Sequence, residues 1–477
     1  MAENTPETSG QQENGAEKLS LQEQIGLSAK TPLGLCGIGL TTACIVLTLL
    51  GVIAHMSGMV SNPYTAIVTF LVFPAGIICG LLLIPLSGYF RRKKWFGGNI
   101  NKGHVVIDFN KKNHRKTMVL LLVLSIVNVV VFSLLMYEAY HFAESDYFCG
   151  AICHTVMMPE YTAYQRSPHS KVGCVSCHIG SGAEWFVKAK ISGLRQVKGV
   201  ITGDYSRPIA TPVHNMRPAH DTCGSCHNAA TFHDKTTKQF VSFKNDSQEK
   251  PQVQDIALHL GGKNPATGTF EGIHWHADKN LKIEYQVLDE KRTSVGDIKV
   301  SRADGTTETY IADGKSAEAG KAHWRTMDCI DCHNRPTHIY DDPQERVDFG
   351  LKSKKIDPTI AGIREDSLEA LKKEYKSRDE AKKQIGETLM ALQTKRHGAE
   401  VVTKNQKALA AASAFLVETY LGNIWPDMKI TWGAYKSHLG HQDEGEGFGC
   451  FRCHDDEHQT KDGKAISQSC DLCHDEP

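Results

Sequence analysis

The chain has 477 residues, with 54 basic and 54 acidic side chains and no net charge. That length suggests roughly three domains, and a balanced charge without a basic block argues against nucleic acid as a partner. Fifteen Cys and 23 His are too many, and too clustered, for an ordinary cytosolic protein.

Residues 1–30 are polar, without an apolar period, and read as a disordered tail. Three apolar runs follow, at 33–54, 64–89 and 118–136. Each approaches the about 20 residues that span a bilayer. No secretory n-region or cleavage site precedes the first run, so it is expected to stay as an anchor. Pro74 and Pro85 predict kinks or local unwinding in the second. Cys36, Cys44 and Cys79 lie in these runs and read as small buried packing side chains. Loop 57–63 has no Lys or Arg, whereas loop 90–117 has nine. The positive-inside rule puts the second loop in the cytoplasm, with the N-terminus, and sends the chain beyond the third span to the outer side. His55 ends the first run, and Glu138 and His141 follow the third. Ionisable groups there are functional candidates, against the plainer reading of polar residues that mark a helix end.

Beyond residue 140 the chain reads as soluble. Cys174-x-x-Cys177-His178 is a c-type haem attachment motif, in which two thiols bind the porphyrin vinyls and the His ligates the iron. It recurs as Cys223/Cys226/His227, Cys329/Cys332/His333, Cys450/Cys453/His454 and Cys470/Cys473/His474. Cys149/Cys153/His154 has one extra residue between the thiols, and there a free or disulfide-linked pair is the alternative. The spacing of Cys450, Cys453, Cys470 and Cys473 also fits a zinc ribbon. However, His follows a given pair by chance only about 5% of the time, and five in five is about one in a few million. Six covalent haems c are therefore expected. Because such thiols are loaded outside the bacterial inner membrane, this agrees independently with the loop charges: a multi-pass inner-membrane protein with a periplasmic haem domain.

Six irons need sixth ligands. His169, His259, His274, His276, His338, His441 and His458 form the candidate pool, and Met157 or Met158 could serve the first site. Bis-His irons relay electrons and leave no position for substrate. Between the motifs, residues 280–313 alternate apolar with polar and read as a small antiparallel meander. Residues 357–421 carry helical spacing, with Leu409, Ala412, Phe415 and Leu416 on one face of a helix over 405–420.

The expected organisation is a tail (1–30), a three-helix membrane anchor (31–140), a three-haem domain (141–230), and a linker with the β meander (231–326). A fourth CxxCH-type region with helices (327–425) and a C-terminal di-haem segment (426–477) complete it. The fold class is a multihaem cytochrome c: three N-terminal transmembrane helices and a mostly α and irregular haem domain with a small antiparallel β insert.

The stretch from Phe148 to His227 resembles the NapC/NirT family of membrane-anchored quinol dehydrogenase cytochromes, through FCGAICHTVMMPEYTAYQRSPH, CVSCHIG, WFVKAKISGLRQV and TCGSCH. GIHWH, MDCIDCHNRPTH and GCFRCHDDEH are similar to its longer multihaem branch, which includes the inner-membrane menaquinol-oxidising cytochromes of metal-reducing bacteria. The resemblance implies menaquinol as substrate, anaerobic respiration, and partners in the menaquinone pool and a periplasmic c-type cytochrome or reductase. It makes Met157 the nearest match to the family's axial Met, one residue further from its His. It also makes Lys190, with Lys188 as runner-up, the match to a Lys near the quinol pocket. Gln196 stands where the family has a carboxylate. Two rivals stay open: a non-enzymatic electron-transfer subunit docked to a larger membrane complex, and a terminal multihaem reductase with an open haem. Nothing in the sequence decides the oligomeric state.

Overall fold

The computed structural model describes residues 31–56, 68–92, 109–112 and 137–475, apart from 153, 180–182, 214–215, 233, 245–249, 313, 316–321 and 442–447. Between 113 and 136 only scattered residues are described, so the expected third span, like the tail at 1–30 and most of loop 90–117, lies outside this account. The chain divides into two compact units, Met1–Phe148 and Cys149–Pro477.

In the first unit, α1 spans Pro32–Met56 and α2 spans Phe73–Arg92. The stretch Pro32–Ala54 is long and apolar enough to cross a membrane, and a shorter apolar helix covers Phe73–Ile84. One turn of π-helix, Val68–Val72, leads into α2. Pro74 follows it directly. A proline has no N–H to donate and its ring crowds the carbonyl one turn earlier, so a widened turn is the local adjustment expected there. At Pro85 α2 runs on as α-helix, with no break.

The two helices meet through small residues. A Cβ on Gly37 would lie 2.8 Å from the Gly80 carbonyl, one on Gly76 would lie 2.5 Å from the Cys44 sulfur, and one on Gly51 would strike Thr69. Gly37, Thr41, Cys44, Thr48 and Gly51 thus form a seam of small side chains that lets the backbones approach, as in membrane helix pairs. Thr41 and Thr48 donate their hydroxyls to carbonyls of their own helix. Leu35, Leu49, Leu50, Ile53 and Leu82 face outward. The sequence reading of the three cysteines needs correction here. Cys44 is buried in the seam, but Cys36 and Cys79 are exposed, because they fall off its spacing.

The second unit has two cores. One is a β-sheet. Strands β1 (Lys235–Phe243) and β2 (Pro251–His259) form a separate antiparallel hairpin. Strands β3 (Leu281–Val287), β4 (Val295–Arg302) and β5 (Thr307–Ala312) follow in an antiparallel meander. Two short strands, β6 (His323–Thr326) and β7 (His458–Gln459), extend it to five strands in the order β6-β3-β4-β5-β7. Ile283, Tyr285, Val287, Ile298, Val300 and Tyr310 are buried on it. Their every-second spacing is what a strand with one packed face requires.

The other core is helical. Helices α3 (His154–Gln165) and α4 (Ala183–Thr202) precede the sheet. Helices α5 (Pro343–Lys352), α6 (Ile363–Lys372), α7 (Arg378–His397) and α8 (Gln406–Asn423) follow it. Asp342 caps α5 by accepting from the N–H groups of Gln344 and Glu345, and Ser377 caps α7 through Glu380 N–H. Ile356, Ile360, Ile363, Leu371, Ile385, Leu389, Leu409 and Leu416 have almost no exposed surface. The Arg364–Asp348 pair is buried beside them at 2.6 Å.

Candidate haem-binding sites

Five of the attachment motifs form a tight helical turn. Cys174–His178 and Cys329–Cys332 are α-helical, the α-helix Ala219–Cys223 ends on the first Cys of its motif, and Gly449–Arg452 and Cys470–Leu472 are 3-10. The His N–H donates to the carbonyl of the first Cys in the motifs of His227 (2.7 Å), His333 (2.8 Å), His454 (3.1 Å) and His474 (3.1 Å). This turn is why the spacing works: residues i, i+3 and i+4 lie on one side of a helix, so two thiols and an imidazole face the same group.

The His rings stand in pairs. Centroids are 6.1 Å apart for His178 and His338, 6.0 Å for His227 and His169, 6.0 Å for His454 and His276, and 6.2 Å for His474 and His441. His274 is the ring next to His333, whose basicity is lowered first by burial and then by His274 and His227. A metal–nitrogen bond of about 2 Å puts each imidazole centre about 3 Å from the metal, so two axial rings stand about 6 Å apart. The measured separations match one metal between each of the four pairs. Nδ1 of His169, His274, His276 and His338 lies 2.8–3.0 Å from the carbonyls of Pro336, Leu260, Ile273 and Glu160. A ring that donates Nδ1–H to a carbonyl keeps Nε2 as the free, electron-donating nitrogen. The residues present therefore fit haem c at four sites, each with two thiols and two facing imidazoles.

Two members of the expected pool go elsewhere. His458 is fully buried, with Nδ1 2.9 Å from Asp455 and Nε2 3.1 Å from the Gly296 carbonyl, so neither nitrogen is free for a metal. His259 turns Nε2 to the Asp475 carboxylate at 2.8 Å. At the first motif, Cys153 and the side chain of His154 lie outside the described residues, and Cys149 is half-buried. Met157 packs against an apolar cluster of Val156, Met428, Ile430 and Tyr435. Among the described residues no three His, Cys, Asp or Glu side chains converge as a metal cage. The cysteines spaced like a zinc ribbon do not form one.

The quinol-site candidates are placed as follows. Lys188 and Gln196 are exposed on α4, which also carries Lys190. Glu138 and His141 are exposed, and His141 stacks edge-on to Tyr137 at 4.3 Å. His55 is in the last turn of α1. The side chains of Lys190 and His55 lie outside the described residues.

The motifs adjoin in chain order. The Cys177 thiol is raised by burial and by nearby Cys223 and Cys226. Cys223 is hydrogen-bonded to Cys329, which lowers its thiol to about 7. Burial, Cys450 and Asp331 push Cys332 up to about 11, against Arg452. Cys473 is raised by burial and by Cys450. Charged residues that the sequence reading did not single out link the turns. Asp328 accepts from the N–H groups of Ala219 and His220 at 2.6 and 2.9 Å and so ties the third motif to the fourth. Arg452, inside the fifth motif, donates to the Asp331 carbonyl inside the fourth. Their signal in sequence was only a charge just before a motif, at Asp328, or between its cysteines, at Arg452.

Residues 111–252 match the NapC/NirT cytochrome c family, N-terminal region. The chain is 36% identical over 454 residues to the cytochrome c-type protein ImcH of Geobacter sulfurreducens, covering 93% of this chain and 87% of that protein. No solved structure matches. The chain belongs to the NapC/NirT cytochrome c family of membrane-anchored electron-transfer proteins with covalently bound haem c.

Proposed function

We propose that the chain is an inner-membrane menaquinol dehydrogenase of anaerobic respiration, multi-pass, with its second unit in the periplasm. It delivers electrons to a periplasmic cytochrome or reductase. Six haems c, when bound, supply the one-electron couples. The observation that carries the reading is the row of attachment turns, which adjoin from Cys177 through Cys223, Cys329, Cys332 and Cys450 to Cys473 in chain order. The opposed His pairs support a relay over a terminal reductase, because a second imidazole fills the position that a substrate would need.

The residues of the chain hold the geometry. Backbone carbonyls fix the tautomer of His169, His274, His276 and His338. Asp328 and Arg452 hold successive turns together. Lys190 contacts the quinol, with Lys188 as the second candidate, and His55, Glu138 and His141 are candidates for taking up its protons. Since Gln196 cannot accept a proton, that task does not fall to it.

The test is anaerobic. The purified chain in lipid is mixed with a reduced menaquinol analogue while the haem α-band is followed. Fast reduction that a quinone-site inhibitor blocks is expected. No reduction, with dithionite still reducing every haem, would sink this reading in favour of a subunit fed by a larger complex.

A further inference from the structure

Arg452 is a buried cation held by backbone carbonyls. It is 7% exposed. Its Nε donates to the Gly449 carbonyl at 2.9 Å, Nη1 to the Arg292 carbonyl at 2.6 Å, and Nη2 to the Asp331 carbonyl. All three acceptors are neutral, and among the described residues Arg452 makes no ion pair.

The carboxylate beside it is already engaged. Asp331, 2% exposed, accepts from Tyr285 Oη at 2.8 Å, Arg325 Nε at 2.9 Å, Arg292 Nη1 at 3.3 Å and the N–H of Asp328 at 2.7 Å. Asp328, the other acid nearby, spends its oxygens on the N–H groups of Ala219, His220 and Cys329. Three guanidiniums thus surround these two acids, and a guanidinium stays charged at any working pH. Arg325 and Arg292 share Asp331. Among the described residues Arg452 has no such partner.

That side chain sits between two attachment turns. It lies between Cys450 and Cys453 in one, and its Nη2 reaches the carbonyl of Asp331, between Cys329 and Cys332, in the other. One buried cation therefore adjoins both turns.

We infer that Arg452 is a positioning residue that joins the fourth and fifth haem sites through the Asp331 carbonyl and raises the reduction potential of both. When a site takes one electron from its neighbour, iron(III) becomes iron(II) and local charge falls by one, with no proton required. A fixed cation in a low-dielectric setting favours the less positive state. Burying a guanidinium on backbone carbonyls is costly, and the electron-accepting role gives that cost a function. The inference rests on haem attachment at these motifs but not on quinol as donor.

The experiment is a mediated redox titration of the full-length wild type, R452Q and R452K, read optically and by electron paramagnetic resonance. R452Q is expected to lower at least one midpoint by a tenfold change in equilibrium constant, about 59 mV for one electron. R452K, which keeps the charge but not the three-carbonyl geometry, is expected to restore most of it. Equal shifts in both variants would reduce Arg452 to a geometric clamp and overturn the electrostatic claim, and so would unchanged potentials in R452Q with full haem content. If R452Q fails to mature, R325Q removes a cation from the same cluster at a side chain that is 23% exposed. It must then lower the same midpoint, and an unmoved midpoint overturns the inference. Failure of quinol reduction with these shifts intact would count only against the proposed function.

Discussion

Two regions of the second unit fill their interiors in different ways. Helices α5 to α8 close on their own side chains, with Val347, Ile363, Leu371, Ile385, Leu389, Leu409 and Leu416 almost fully buried. Residues 149–230 carry three attachment motifs, and among their described residues the buried apolar side chains are chiefly Val156, Ala163, Tyr164 and Ala219. The first region packs as polypeptide. The second sets thiols and paired imidazoles beside its few apolar contacts, and these are the residues that would hold haem c. A protein of this kind is stabilised by two separate means, and each is open to separate attack.

The largest effect should follow from the second region. C174S with C177S removes both thioether attachments of one haem, and holoprotein yield is expected to fall by an order of magnitude or more, measured by haem-stained gel and by mass. Intact yield with one haem fewer would show that 149–230 closes without it. In the first region, L389A should cost about 2–5 kcal/mol in chemical unfolding followed by far-UV dichroism. The reduced α-band under native conditions should not change. A spectral change there would mean that the two cores are coupled.

The His pairs sharpen the contrast. H338A should leave haem attached but convert one centre from low to high spin, seen by electron paramagnetic resonance. H458A should change no spin state and cost about 1–3 kcal/mol, because Asp455 and the Gly296 carbonyl lose a buried partner. A high-spin signal in H458A would return it to the set of ligands. At the small end is E308Q. Glu308 is held at about 2 by Lys464 and Arg302 but is partly exposed, and its loss should cost at most about 1 kcal/mol in the same unfolding assay.

How much of this could be read in the sequence depended on whether one residue type served one purpose. Cys-x-x-Cys-His has a single geometric meaning, and the turns lie where it places them. The period-2 run at β3 to β5 and the apolar face of α8 were legible because burial on one side imposes a period. The β1–β2 hairpin was not: its strands are mostly exposed, with Val241 and Phe243 covered at one end and 256–259 partly covered at the other, so no alternation marks them. Histidine was ambiguous for a different reason. His458 and His338 look alike in sequence, and only the partners of both ring nitrogens tell a structural His from one with a nitrogen to spare. The seam of α1 shows the same limit, since Cys36 and Cys44 differ only in which side of the helix they occupy.

The His pairs also join stretches of chain that are far apart. His178 faces His338, His276 faces His454, and His169 reaches forward to His227. Contacts so distant in sequence are slow to form. On the proposed topology, the segment with Cys174, Cys177 and His178 is exported before residue 338, whose ring faces His178. The order of emergence then sets a window in which this early site is chemically exposed, and the arrival of His338 shuts it.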